Sequence, residues 1–384
     1  MKKRYLIIFC LILIFIPGVV FSEESNTGQI LKSQEEAFGI SDFIKETEKY
    51  SKNVFPDMDV KSMLNSAISG NIDNKGFFKK ILSLFGSNIS GAIKTAVSIL
   101  VIILIHSILK TFAEDLNNSE VSKIIYYVQY ILIVTLILNN FSDIFKSIVD
   151  TIKNLTGFAN ILIPLLITLM TYTGSITTSS IVQPILLFLI QFIGKIIEDL
   201  IMPIVSIIVV VSIVSKISNR IQIEKISKFM KSSVVWFLGI ILTAFVGVLS
   251  LEGTLTASVD GITAKTAKAA VSSLIPVVGK ILGDGVDTVL GCGVILKNAV
   301  GMVGVIVVIG ICAMPVIKLA TFSIMYSLLS AVAEPIADSK IVKLLDEFGG
   351  VFKLLLAILC SVSFLLIIGI TLVIKISNSG MMYR

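Results

Sequence analysis

Apolar runs at or near bilayer-spanning length follow one another along most of this chain, and they limit its fold more than any other feature. They cover Ile89–Leu109, Ile124–Phe141, Leu155–Tyr172, Ile181–Ile197, Ile201–Ser215, Val234–Leu251, Ala299–Ile317, Leu319–Val332 and Val351–Ile374. In hydrocarbon the backbone must satisfy its own N–H and C=O groups, so such runs cross as helices. Roughly 20 apolar residues cross a bilayer, and some runs reach that length while others are short. Two of them, Ile181–Ile197 and Ile201–Ser215, meet at the polar break Lys195–Asp199. The expected fold is an all-α polytopic membrane protein with about 7–9 transmembrane helices. Charged residues make up 15% of the chain, against about 25% in soluble domains, which places the chain in the same class.

The net charge of +6 would invite a nucleic-acid reading in a soluble protein. Here the Lys and Arg residues sit in short loops between apolar runs, where they set membrane topology instead, so no nucleic acid is expected. One His and four Cys (Cys10, Cys292, Cys312, Cys360) leave little material for a metal site. The cysteines lie in apolar segments without CxxC spacing and read as small buried hydrophobes. The chain opens with Lys2, Lys3 and Arg4, an apolar run Tyr5–Ile16, and Pro17-Gly18 before Ser22. That is the pattern of a secretory signal peptide over residues 1–22; the rival reading is an uncleaved first span. Residues 23–86 are polar and charged, with amphipathic spacing over Ile40–Tyr50 and Val60–Ile68. They read as an extracytoplasmic segment, partly helical, lying on the membrane or on a partner.

Residues 87–251 form a first transmembrane region, and its loop at residues 216–231 sets the orientation. Lys216, Arg220, Lys225, Lys228 and Lys231 face Glu224 alone there, so the positive-inside rule makes the loop cytoplasmic. Its apolar positions suggest an amphipathic helix on the inner leaflet. Counting back five spans leaves residues 23–86 outside, as a signal peptide requires. An internal repeat is also suggested. Ile163-Pro164 and Ile275-Pro276 share an offset of 112 with Met202-Pro203 and Met314-Pro315, each Met-Pro being followed by Lys-Ile-x-Lys at Lys225 and Lys340. An offset of 151 pairs prolines as well, so proline spacing alone does not decide.

Residues 252–304 break the rule that their surroundings obey, mixing charge and glycine into apolar sequence. A charge at membrane depth costs about 2.5–3.5 kcal/mol on insertion scales, so it faces protein or water. The expectation is an embedded Gly- and charge-rich hairpin, or paired short helices, before a C-terminal transmembrane region at residues 305–384. Lys280, Asp284, Asp287 and Lys297 are its candidate packing or pore-lining residues. Asp284 and Asp287 share one helical face, with Lys280 one turn before Asp284. This set lines an aqueous path or forms an internal ion pair that lets the helix stay buried. Asp260, Lys265 and Lys268 are candidates too, against the plainer reading of a solvated interfacial helix start. His106 is a proton relay or, as the preferred reading, a hydrogen-bonding partner of a neighbouring helix. Glu334, before Pro335, most simply ends a helix. Gly301 and Gly304 permit close helix approach. The chain carries no P-loop, HExxH, GxSxG triad or Rossmann fingerprint, so no enzyme, no catalytic residue and no cofactor is expected.

The stretch TASVDGITAKTAKAAVSSLIPVVGKILGDGVDTVLGCGVILKNAVGMVGVIVVIGICAMPVIKLA, Thr256–Ala320, resembles the signature region of the stage III sporulation protein AE family. The order of signal peptide, polar segment, many spans and Glu334-Pro335-Ile336 before a last hydrophobic span is similar too. The resemblance implies a multi-pass protein of endospore-forming bacteria, in the mother-cell-derived outer forespore membrane. It implies membership of an eight-component, secretion-like assembly that includes an ATPase (stage III protein AA) and reaches the forespore through the stage II protein Q. That assembly is proposed to be a channel or feeding tube needed after engulfment. The implied partners are the other stage III membrane proteins, the lipid bilayer and further copies of the chain. The rival functions are an ion-coupled secondary transporter using the embedded charges, and a purely structural scaffold.

Overall fold

The computed structural model describes residues 27–51, 59–71, 74–115, 119–217, 223–274 and 279–382. The expected signal peptide lies outside the described residues. Among the described residues every regular element is helical. Three short helices come first: α1 (Thr27–Ala37), α2 (Ile40–Ser51) and α3 (Val60–Ile68). Long rods follow: α4 (Asn74–Asp115), α5 (Ser119–Tyr172), α6 (Ile176–Ile196), a π-helical turn (Ile197–Ile201), α7 (Met202–Ile217), α8 (Glu224–Leu274), α9 (Gly279–Ala333) and α10 (Ser339–Met382).

Six stretches are long and apolar enough to cross a membrane. The nine apolar runs lie on these six because three pairs of runs are continuous helix. Ile124–Phe141 and Leu155–Tyr172 both belong to α5, and Ala299–Ile317 and Leu319–Val332 both belong to α9. The break expected at Lys195–Asp199 is the π-helical turn, which carries α6 into α7 without a loop. The expected embedded hairpin is likewise not a pair of short helices. It is the end of the 51-residue α8 and the start of the 55-residue α9, with residues 275–278 between them outside the described residues. The boundaries drawn after residues 86, 251 and 304 fall inside α4, α8 and α9.

The rods run up and down, as the contacts between them show. α5 turns into α6 through Gly174, whose positive φ of 89° allows a tight helix end. Gly174 N–H donates to Thr171 O at 3.1 Å and Ser175 N–H to Met170 O at 3.0 Å, a Schellman closure of α5. From that turn α6 and α7 run back along α5, with Lys153 opposite Glu198 and Tyr130 opposite Ile213. α8 reverses again, and α9 and α10 complete the bundle. One end of the bundle, the lysine end, holds the α7–α8 and α9–α10 joints. The other, the cap end, holds the α5–α6 turn. The two proposed repeat copies share a local plan: α7 with α8 and the second half of α9 with α10 both turn at the lysine end, and Lys-Ile-x-Lys opens the second helix in each. Pro276 lies outside the described residues.

The core is filled with Ile, Leu, Val and Phe side chains, with α10 against α5, α7, α8 and α9. A void of about 10 Å³ lined by Phe158, Leu162, Ile190, Val308, Leu366 and Ile370 has room for about one water. The amphipathic helices read at Ile40–Tyr50 and Val60–Ile68 are α2 and α3, and they dock on the cap-end half. Ile40, Phe43, Val60 and Leu64 turn inward, and Tyr50 meets Phe158 edge-on with ring centroids 5.9 Å apart.

Candidate functional site

Two polar sites fix the bundle, one at each end. At the lysine end Glu347, on α10, is buried beneath the α7–α8 joint. It shares a helix face with Leu344 and Val351, which have no exposed surface. One carboxylate oxygen stands 3.7 Å from Lys216 Nζ and the other 3.4 Å from Lys231 Nζ. Ser227 Oγ donates to the second oxygen at 2.8 Å, and Ser212 Oγ lies 3.0 Å from Ser227 Oγ. Lys216 also donates to Glu224 at 2.7 Å, and Glu224 in turn accepts from Lys228 at 2.8 Å. The network places two lysines and a carboxylate where the surroundings are apolar. Such a cluster is stable only if every charge has a partner, and here each has at least one.

The same joint satisfies the free carbonyls that every helix C-terminus leaves. Tyr126 Oη donates to Lys216 O at 2.9 Å and Tyr130 Oη to Ile213 O at 2.5 Å, so α5 closes the end of α7. Lys340 Nζ lies 5.2 Å from the centre of the Tyr126 ring, within cation–π range. Four helices, α5, α7, α8 and α10, are therefore joined there.

At the cap end a carboxylate does the corresponding work. The first N–H groups of α6 need acceptors, and the N-cap residue Ser175 makes no side-chain cap. Asp260 supplies both from α8: its carboxylate oxygens accept from Thr177 N–H at 2.8 Å and Thr178 N–H at 2.9 Å. The negative charge also complements the positive end of the helix dipole. Thr171 Oγ1 donates to Ser179 Oγ at 2.7 Å across the same turn. On its other side Tyr172 packs against Phe38, just past the end of α1, and Gln34 Nε2 of α1 donates to Tyr172 Oη at 3.3 Å and to Val289 O at 3.0 Å. At Gly293 of α9 a Cβ would stand 3.0 Å from side-chain carbons of Tyr172 and Thr173, so the glycine lets α9 pass close to the turn.

The family model described as stage III sporulation protein AE matches residues 58–377. Stage III sporulation protein AE of Bacillus subtilis (strain 168) is 31% identical over 277 residues, which cover 72% of this chain and 69% of that protein. The chain belongs to the stage III sporulation protein AE family. Membership gives it a role in sporulation, and the six apolar helices make it a multi-pass membrane protein. No solved structure matches it.

Against this member of the AE family the residues singled out from the sequence fare differently. Lys280 and Asp284 lie in the first turns of α9, and Lys265 and Lys268 in α8; all four side chains lie outside the described residues. Asp287 is exposed, two positions before Val289, whose carbonyl accepts from Gln34, and Lys297 is fully buried on α9. The reading of Asp260 as a solvated helix start is corrected: it sits within a continuous helix and is buried, because it caps another helix. His106 is buried on α4, and its Nδ1–H donates to Gln129 Oε1 of α5, the preferred reading. Glu334 is exposed in the turn after α9. Gly301 and Gly304 do allow close approach, since a Cβ on either would strike Ile374 or Leu162. The inner-leaflet helix expected over residues 216–231 is also corrected. Lys216 ends α7, while Lys228 and Lys231 open α8, and two of these lysines turn inward because Glu347 is there to receive them. Glu347 was missed, although a lone carboxylate in phase with Leu344 and Val351 was the signal for it. Among the described residues no three His, Cys, Asp or Glu side chains converge as a metal site requires.

Proposed function

We propose that the chain is a non-enzymatic component of the assembly that connects the mother cell to the engulfed forespore. In this reading it works beside the other stage III membrane proteins and their ATPase, in the mother-cell-derived outer forespore membrane. Its residues 23–86 lie on the extracytoplasmic side, toward the forespore protein Q. The observation that carries the proposal is a bundle of rigid rods pinned at both ends by buried polar contacts, with its described interior filled by side chains. Such a body suits a fixed structural part of a conduit, whose path runs along its surface or between copies.

The test is a Glu347→Leu replacement in the sporulating host, with protein level followed by immunoblot. The expected result is arrest after engulfment together with loss of co-purification of the other stage III membrane proteins. Normal spore yield from a strain lacking the chain altogether would overturn the proposal. So would ion-coupled solute uptake by the purified protein in liposomes, which would establish a transporter instead.

A further inference from the structure

At 1.5 Å per residue the 54 residues of α5 extend about 80 Å, whereas the hydrocarbon core of a bilayer is about 30 Å thick. Tilt cannot absorb such an excess, since spanning helices lean by no more than about 40°. About half of α5 or more must therefore stand outside the lipid, and the charges show which part.

Two belts of charge cross the bundle. The first lies at the lysine end and contains Lys110, Lys123, Lys216, Lys228 and Lys231. The second lies part-way along and contains Lys94, Asp143, Lys195 and Asp199, with Lys153 paired to Glu198 at 3.0 Å. Between the belts α4, α5, α7 and α8 carry no charge over lengths of about 22–30 Å, the thickness of a bilayer core. The surface there is apolar. Ile108 on α4, Ile131 on α5, Val210 on α7, Ile240 on α8 and Leu328 on α9 are all exposed. Lys353 is exposed at this depth, and its ammonium turns toward Ser327 Oγ, 3.3 Å away and nearer the lysine end, as a snorkelling lysine does.

Past the second belt the surface of α5 changes character, while α6 still turns Phe188 and Phe192 outward. The exposed positions of α5 become Lys146, Asp150, Asn154, Asn160 and Thr168. α1–α3 wrap α5 and α9 at this level and turn Asp42, Lys45, Lys49 and Lys61 outward. A coat of that kind cannot face acyl chains, where each charge costs about 2.5–3.5 kcal/mol. Under it Leu155, Phe158, Leu162, Val300 and Val303 are wholly buried by protein.

We infer that the bilayer covers only the zone between the two belts, and that the cap-end half is a helical tower standing in water on the extracytoplasmic side. The lipid is crossed six times. Leu155–Tyr172 and Ala299–Ile311 are core of the tower, not spans, and their hydrophobicity serves protein packing; Ile181–Ile193 gives Val182, Leu186 and Ile190 to that core and leaves Phe188 and Phe192 on the surface. The lysine belt meets the anionic headgroups of the inner leaflet. This inference rests on the membrane character of the chain and not on the proposed place in the channel.

Trp236 is the chain's single tryptophan, it is 71% exposed, and it lies between the belts. In liposomes its fluorescence should be quenched severalfold by bromine-substituted acyl chains and left unchanged by iodide. A Lys45→Trp probe in a Trp236→Phe background should behave in the opposite way. Iodide quenching of Trp236, or bromolipid quenching of the Lys45→Trp probe, would overturn the placement. For the side, an impermeant maleimide on intact cells should label Lys45→Cys and not Lys228→Cys in a cysteine-free chain; the reverse labelling would overturn the orientation.

Discussion

The two ends of the bundle solve one problem with different chemistry. At the lysine end three long side chains, Lys216, Lys231 and Glu347, meet in a buried charge cluster supported by Ser227. At the cap end a single carboxylate, Asp260, meets two backbone N–H groups of α6. The first device joins side chains that all bear formal charge, so removing Glu347 takes from Lys231 the carboxylate it faces, while Lys216 keeps Glu224 at 2.7 Å. The second joins a side chain to a helix end that water or another acceptor can partly serve. The lysine end should therefore be brittle and the cap end tolerant.

The largest expected effect follows from that difference. Glu347→Leu takes the carboxylate from the half-buried Lys231 and leaves Lys216 with Glu224 alone, and should cost about 3 kcal/mol, read as a fall in Tm in detergent. Adding Lys216→Met and Lys231→Met should recover most of that loss, because a fully apolar replacement of a buried cluster is near neutral. No recovery would mean that the cluster acts through something other than stranded charge. Glycines offer a second comparison. At Gly349 a Cβ would lie 2.8 Å from Ser327 Oγ and 3.3 Å from Ser327 backbone N, so the helices themselves must part. Gly349→Ala should cost about 1–3 kcal/mol. Gly301→Ala, whose Cβ would meet side-chain atoms and no backbone, Ile374 Cδ1 and, at 2.9 Å, Ile374 Cγ1, should cost less in the same denaturation assay. Next comes Asp260→Asn, which keeps an acceptor and loses the charge; about 1 kcal/mol is expected, with faster hydrogen exchange at Thr177 and Thr178. The smallest effect belongs to Lys153→Ala. Its pair with Glu198 is solvent-exposed, and exposed pairs contribute little, so Tm should not move.

Much of the fold was legible because hydrophobic length is a local property. The nine apolar runs and the amphipathic α2 and α3 were read from spacing within one segment. What was not legible depended on a distant residue. Nothing near Lys195–Asp199 says that the helix continues; Lys153, far away on α5, partners Glu198 there. Nothing near Asp260 says that it will cap a helix whose first residue lies more than eighty positions earlier. The basic segment 216–231 looked solvent-facing because its buried partner, Glu347, comes from the last helix. Hydropathy also cannot tell lipid from protein as the apolar neighbour, and so two runs on one rod read as two crossings.

The π-helical turn of Ile197–Ile201 has a rotational consequence. Ile193, Ile197, Ile201 and Val205 are all buried and stand four positions apart. In a regular α-helix each four-residue step overshoots a full circle by about 40°, so three steps would swing the last side chain about 120° off the wall on which the first one packs. The wider turn removes about one residue's worth of rotation, about 100°. It acts as a gear tooth that keeps both lengths of the rod meshed with the same partners. Deleting one residue there should leave a regular α-helix with Met202–Ile217 still facing the same partners, whereas forcing the full-length segment into regular α-helix would turn it about 100° away from them.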